Sequence, residues 1–96
     1  MPRILFMSRA LRDLQDAVLF ISMDQPRNAV AWESMIHERI EKLATFPWIG
    51  TTVTLTGHIM RRFPIDRYII YYQIISDGIK IVRILHAARD LRTIRY

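Results

Sequence analysis

Arg67-Tyr68-Ile69-Ile70-Tyr71-Tyr72-Gln73-Ile74-Ile75, then Ser76-Asp77-Gly78, then Ile79-Lys80-Ile81-Val82-Arg83-Ile84-Leu85 is the stretch that decides the fold. Both apolar segments are rich in β-branched and aromatic residues, which suit a pleated, packed surface. Asp-Gly between them supplies the left-handed backbone that a tight hairpin needs. The stretch predicts two long antiparallel strands. Working back from it, Ile59 to Phe63 reads as a third strand. Thr51-Thr52-Val53-Thr54-Leu55-Thr56 is β-branched and alternating but short, and reads as a loop or an edge strand.

Upstream of Gly50 the period changes. Ala29, Trp32, Ile36, Ile40 and Leu43 mark one face of a helix, with Glu33, Glu38, Arg39, Glu41 and Lys42 on much of the other. This helix should end near Ala44, before Pro47. Leu11, Leu14, Val18 and Ile21 mark an earlier helix that Ser8 can cap and that runs to about Met23. Asp24-Gln25-Pro26 separates the two. Asp24 can cap, and Pro26 is tolerated in a first helical turn. So short a break predicts an antiparallel helical hairpin. Pro2 to Met7 is a short apolar run that reads as a first strand. The fold class is therefore α+β: an N-terminal strand and an antiparallel helical hairpin packed on a small antiparallel sheet, in the order βααβββ, with residues 1–96 forming one domain.

Composition narrows the function. Half of the 96 residues are apolar and none is cysteine, which excludes disulfides, thiolate metal sites and cysteine nucleophiles. No apolar run reaches the roughly 20 residues of a membrane span, and Met1 to Arg9 is too short and too soon charged for a signal peptide. A cytoplasmic protein without membrane contact is expected. The net charge is +5, and its position matters more than its size. The first 56 residues balance. The excess comes from Arg61, Arg62, Arg67, Lys80, Arg83, Arg89, Arg92 and Arg95, set against Asp66, Asp77 and Asp90. A one-sided basic field attracts nucleic acid, an acidic protein segment or a membrane surface. It also serves as a solvated face.

Catalytic motifs are scarce. His37, His58 and His86 are far apart in sequence, and the i, i+4 pair His37-Glu41 reads as a surface pair, so no metal is expected. With only Gly50, Gly57 and Gly78, there is no phosphate-cradling loop, and no cofactor is expected. Ser8, Ser22, Ser34 and Ser76 lack a nucleophile elbow. Arg61 and Arg62 are adjacent, so on a strand they point to opposite faces. Arg89-Asp90 can tie the chain to the sheet or present a guanidinium to a phosphate. Tyr68, Tyr71 and Tyr72 read as core residues with a hydroxyl at the rim, the other reading being base stacking.

The ordered motifs resemble those of a known family. Phe63-Pro64, then Arg67-Tyr68-Ile69-Ile70-Tyr71-Tyr72, Asp77-Gly78 and Ile84-Leu85-His86-Ala87-Ala88-Arg89-Asp90 are similar to the C-terminal half of ParE-type toxins of the RelE/ParE superfamily. Ser8-Arg9-Ala10-Leu11-Arg12-Asp13-Leu14 resembles the family's opening of the first helix, with Ala10 one place early. Ile40-Glu41-Lys42-Leu43-Ala44-Thr45-Phe46-Pro47-Trp48-Ile49-Gly50 resembles its exit from the second.

The resemblance implies the toxin of a type II toxin–antitoxin system, held in a hetero-oligomeric complex by a cognate ParD-like antitoxin. An acidic antitoxin segment would suit the +5 charge. Leu19, Phe20, Met23 and Met35 are the expected antitoxin contacts, with burial in the core as the other reading. ParE-type members are similar to inhibitors of DNA gyrase that act by binding, which implies growth arrest without an active site. The expected target contacts are Arg61, Arg62, Arg67, Arg83, Arg89 and the tail from Leu91 to Tyr96. DNA would be contacted only through the antitoxin.

A RelE-like messenger-RNA ribonuclease is the alternative. It would use Arg62, Arg89 and Tyr96, with His86 as acid or base. The RelE pattern is departed from where Ile69 replaces an arginine and Met60 replaces a lysine. A third reading is a non-toxic relative retained to bind an antitoxin.

Overall fold

A computed structural model describes residues 1–88. At its centre β4 (Tyr68–Ile75) pairs antiparallel with β5 (Gly78–His86), as the apolar run predicts. β3 (His58–Ile65) lies beside β4, and β2 (Thr51–Leu55) beside β3. β1 (Arg3–Phe6) completes the sheet in the order β1-β5-β4-β3-β2. The Thr-rich stretch is thus an edge strand. It turns into β3 through Thr56 and Gly57, whose φ angles of 47° and 82° are those of a two-residue hairpin matched to strand twist.

Two expectations about the sheet are corrected. It is not wholly antiparallel, because β1 runs parallel to β5. Arg3 starts beside Gly78, at the end where the β4–β5 hairpin turns, and its N–H donates to the Asp77 carbonyl at 2.7 Å. The chain then travels along β5 before leaving into the first helix. Gly78, in turn, is not left-handed. Among the described residues, positive φ is confined to Thr56, Gly57 and Asp66. Glycine is required at position 78 for proximity, since a Cβ there would sit 2.6 Å from the Arg3 backbone N and C.

α1 (Ser8–Asp24) and α2 (Pro26–Thr45) form the helical hairpin, with Gln25 alone between them. Ser8 is the first helical residue rather than the cap, and Met7 precedes it with no side-chain bond. Asp24 likewise ends α1 instead of capping α2. The α2 stripe is buried as read. On α1, Ala10, Leu14 and Ala17 are buried, whereas Leu11 is 45% exposed. The two alanines let the helix approach the sheet closely, and that shifts the buried stripe by one residue.

β4 and β5 are apolar on both faces, so the sheet carries two cores. The helices cover one, where Ile36, Ile40 and Leu43 meet Ile70, Tyr72, Ile81 and Ile84. The other face holds Leu55, Met60, Ile69, Tyr71, Val82 and Leu85. Val82 is the extra residue at a register shift, with Arg83 opposite Tyr71 and Ile81 opposite Tyr72. No described helix is long and apolar enough to cross a membrane.

Candidate interaction surfaces

β1 reaches only as far as Ile81 along β5, and among the described residues the remaining edge of β5 has no strand neighbour. α1 crosses there and supplies Asp13. Its Oδ2 accepts from the Ile84 backbone N–H at 3.0 Å and from Arg83 Nε at 2.7 Å, and its Oδ1 accepts from Arg83 Nη2 at 3.0 Å. Both side chains are 12% exposed. Such a paired fork satisfies a partly buried carboxylate and a strand edge together. It also occupies Arg83, one of the arginines expected to meet a target.

Past Asp13, the same side of α1 presents Asp16, Ala17, Phe20 and Asp24 at spacings of three and four. Phe20 is 66% exposed and overhangs two connected grooves, of about 430 Å³ and 660 Å³. Tyr68, His86 and Leu85 from the strand ends form the opposite wall of the first. Trp32 and Met35 of α2, with Asp66 and Arg67 of the β3–β4 turn, extend the second. The floor is an aromatic chain. Trp32 lies 5.1 Å from Tyr68, and Tyr68 meets His86 edge-on at 5.3 Å. Trp32 Nε1 donates to Asp66 Oδ2 at 3.1 Å, which fixes the left-handed Asp66 at the turn. Burial, and then the Asp66 charge, raise the Tyr68 pKa.

The expected antitoxin contacts therefore divide. Leu19, Phe20 and Met23 are exposed on α1, which excludes the core reading for them. Met35 packs against the core and lines the second groove with Phe20.

The expected target contacts are scattered. Arg61 is taken up by the 3-10 turn Pro47–Ile49. Its Nη1 donates to the carbonyls of Gly50 at 2.7 Å and Trp48 at 3.3 Å, and its guanidinium lies 5.2 Å from the centre of the Trp48 ring. Arg62 faces the other side of the sheet, opposite Tyr71. Arg67 is exposed in the β3–β4 turn, and its carbonyl accepts from the Ala87 N–H at 2.8 Å. His86 is exposed, with Nδ1 accepting from the Ala88 N–H at 3.2 Å. Arg89, Tyr96 and the tail from Leu91 lie outside the described residues. No group of His, Asp and Glu able to hold a metal exists among the described residues. The Asp13–Arg83 fork was missed in the sequence, where only the Asp13-Leu14 motif hinted at it.

Residues 4–91 match the family described as the ParE toxin of the type II toxin-antitoxin system, parDE. Among curated proteins none matches the chain. A solved chain from the chromosomal ParDE TA system of P. aeruginosa has the same fold, with a TM-score of 0.72 at 18% identity. The match covers 90% of this chain and 96% of that one.

Proposed function

The chain belongs to the ParE toxins of type II toxin–antitoxin systems, and from that premise we propose that it arrests growth by binding DNA gyrase until a ParD-like antitoxin neutralises it. The observation that carries the antitoxin half is the groove beside Phe20. There, large apolar side chains stand exposed above an aromatic floor. Exposed apolar surface of this kind marks a protein interaction site.

Inhibition by binding is supported by how the described arginines are used. Arg83 is engaged by Asp13 and Arg61 by backbone carbonyls, so neither is presented to a scissile phosphate. His86 has its Nδ1 occupied by a backbone N–H. Arg62, Arg67 and Arg89 are the proposed target contacts, and the cytoplasm is the proposed location.

Induced expression without antitoxin, followed by a gyrase assay on supercoiled DNA with the purified protein, tests the reading. The expected result is growth arrest with gyrase-dependent linear DNA. Growth arrest with intact DNA and cut messenger RNA would overturn it in favour of a ribonuclease. Unimpaired growth would leave only an antitoxin-binding role.

A further inference from the structure

The protein carries a net charge of +5, yet the groove beside Phe20 has the opposite sign. Asp13, Asp16, Asp24 and Asp66 line it, against Arg67 and His86. Asp13 is neutralised by Arg83, and one oxygen of Asp66 holds the Trp32 indole. Asp16 and Asp24 are exposed and form no ion pair with a described residue. They stand four residues before and after Phe20, so the exposed ring lies between two carboxylates on one helix face. Beneath them run the rings of Trp32, Tyr68 and His86.

Carboxylates beside aromatic faces attract a cation, and arginine most of all. Net charge acts at long range and is screened beyond about 8 Å at physiological ionic strength. At contact distance the local carboxylates decide. An acidic side chain placed here would be desolvated beside like charges.

We infer that the segment seated in this groove is amphipathic and bears basic residues, arginine before lysine, one head group lying against Asp16 and another against Asp24. Their apolar neighbours cover Phe20, Ala17 and Met35. The basic excess lies in the second half of the chain and suits acidic groups elsewhere on the partner. The inference rests on the reading that an antitoxin occupies the groove.

Two synthetic helical peptides separate the ideas. Both carry the same leucine face, and their polar face has either two arginines or two glutamates two helical turns apart, the spacing of Asp16 and Asp24. Each is titrated into isotope-labelled protein, and the amide shifts of residues 13–24, Tyr68 and His86 are followed. The arginine peptide is expected to bind about tenfold more tightly, the effect of two exposed ion pairs at low salt. That gap should close in the Asp16→Asn, Asp24→Asn double variant, whose changes are on exposed positions. Shifts in the groove with equal affinities, or with glutamate preferred, would overturn the charge inference and leave the groove reading intact. Shifts from neither peptide, with the co-expressed antitoxin perturbing other residues, would overturn the groove reading and this inference with it.

Discussion

Tyr71 and Tyr72 are neighbours in β4, and both are 0% exposed, yet the two faces of the sheet treat them differently. Each lies opposite an arginine of β3, Tyr72 by Arg61 and Tyr71 by Arg62. On the helix side, the Tyr72 hydroxyl donates to the Pro47 carbonyl at 2.7 Å and accepts from the Gly50 N–H at 3.0 Å. Arg61 then takes the Gly50 carbonyl, so tyrosine, arginine and turn form one polar unit. Gly50 is needed there, because a Cβ would press on the Tyr72 ring at 2.9 Å. On the other face, the Tyr71 hydroxyl is buried and finds no hydrogen-bond partner among the described residues. Equal burial therefore does not confer equal structural value. A buried hydroxyl stabilises only where a backbone segment is delivered to it, and an unpaired one costs its desolvation.

If polar links distinguish the helix side, breaking its charged one has the largest effect. Asp13→Ala removes two hydrogen bonds and the ion pair from the Arg83 guanidinium and leaves the Ile84 N–H without its acceptor, and should cost about 3 kcal/mol. Urea denaturation at neutral pH measures this, and a loss below about 1 kcal/mol would reduce the pair to a surface contact. Next is Tyr72→Phe. It leaves a carbonyl and an N–H without their partner and should cost about 2 kcal/mol.

Tyr71→Phe is the control on the other face. It removes an unsatisfied hydroxyl, so stability at pH 7 should change by less than about 0.5 kcal/mol or rise. Its effect appears in alkali. Burial raises the Tyr71 pKa, and the Arg62 charge partly opposes the rise. The folded state then holds the phenol proton more tightly than the unfolded state, whose tyrosines titrate near about pH 10. That stabilisation is complete below about pH 10 and is lost as pH rises through the folded value. Urea midpoints across this range should fall less steeply in Tyr71→Phe than in the parent. An identical slope would show that the Tyr71 pKa is not raised by folding.

Legibility follows signal strength. The α2 stripe and the β4–β5 pair were readable because many large apolar residues repeat at one period. α1 was misread at Leu11 because alanines carry little hydropathy signal, yet Ala10 and Ala17 are what bring the helix close to the sheet. Asp77-Gly78 marked a turn correctly for the wrong reason, since the demand on Gly78 comes from Arg3. Of the groove, Phe20 and Met35 were legible as apolar residues. Asp16 and Asp24 flank Phe20 at helical spacing, but that they border a groove was not legible, because its other wall, with Asp66, Tyr68 and His86, is brought there only by the fold.

The α+β class, the helical hairpin, the strands around Asp77-Gly78 and membership of the toxin family are all legible in the order of residues. These are properties of local periodicity and ordered motifs, which each segment carries before any contact forms. Tertiary structure alone decided the parallel pairing of β1, the capture of Arg83 by Asp13 from 70 residues away, and the unequal fates of two adjacent tyrosines. It also decided the acidic sign of a groove on a basic protein. Hydrogen bonds and charges act over a few ångströms, so their partners are set by which segments the fold brings together.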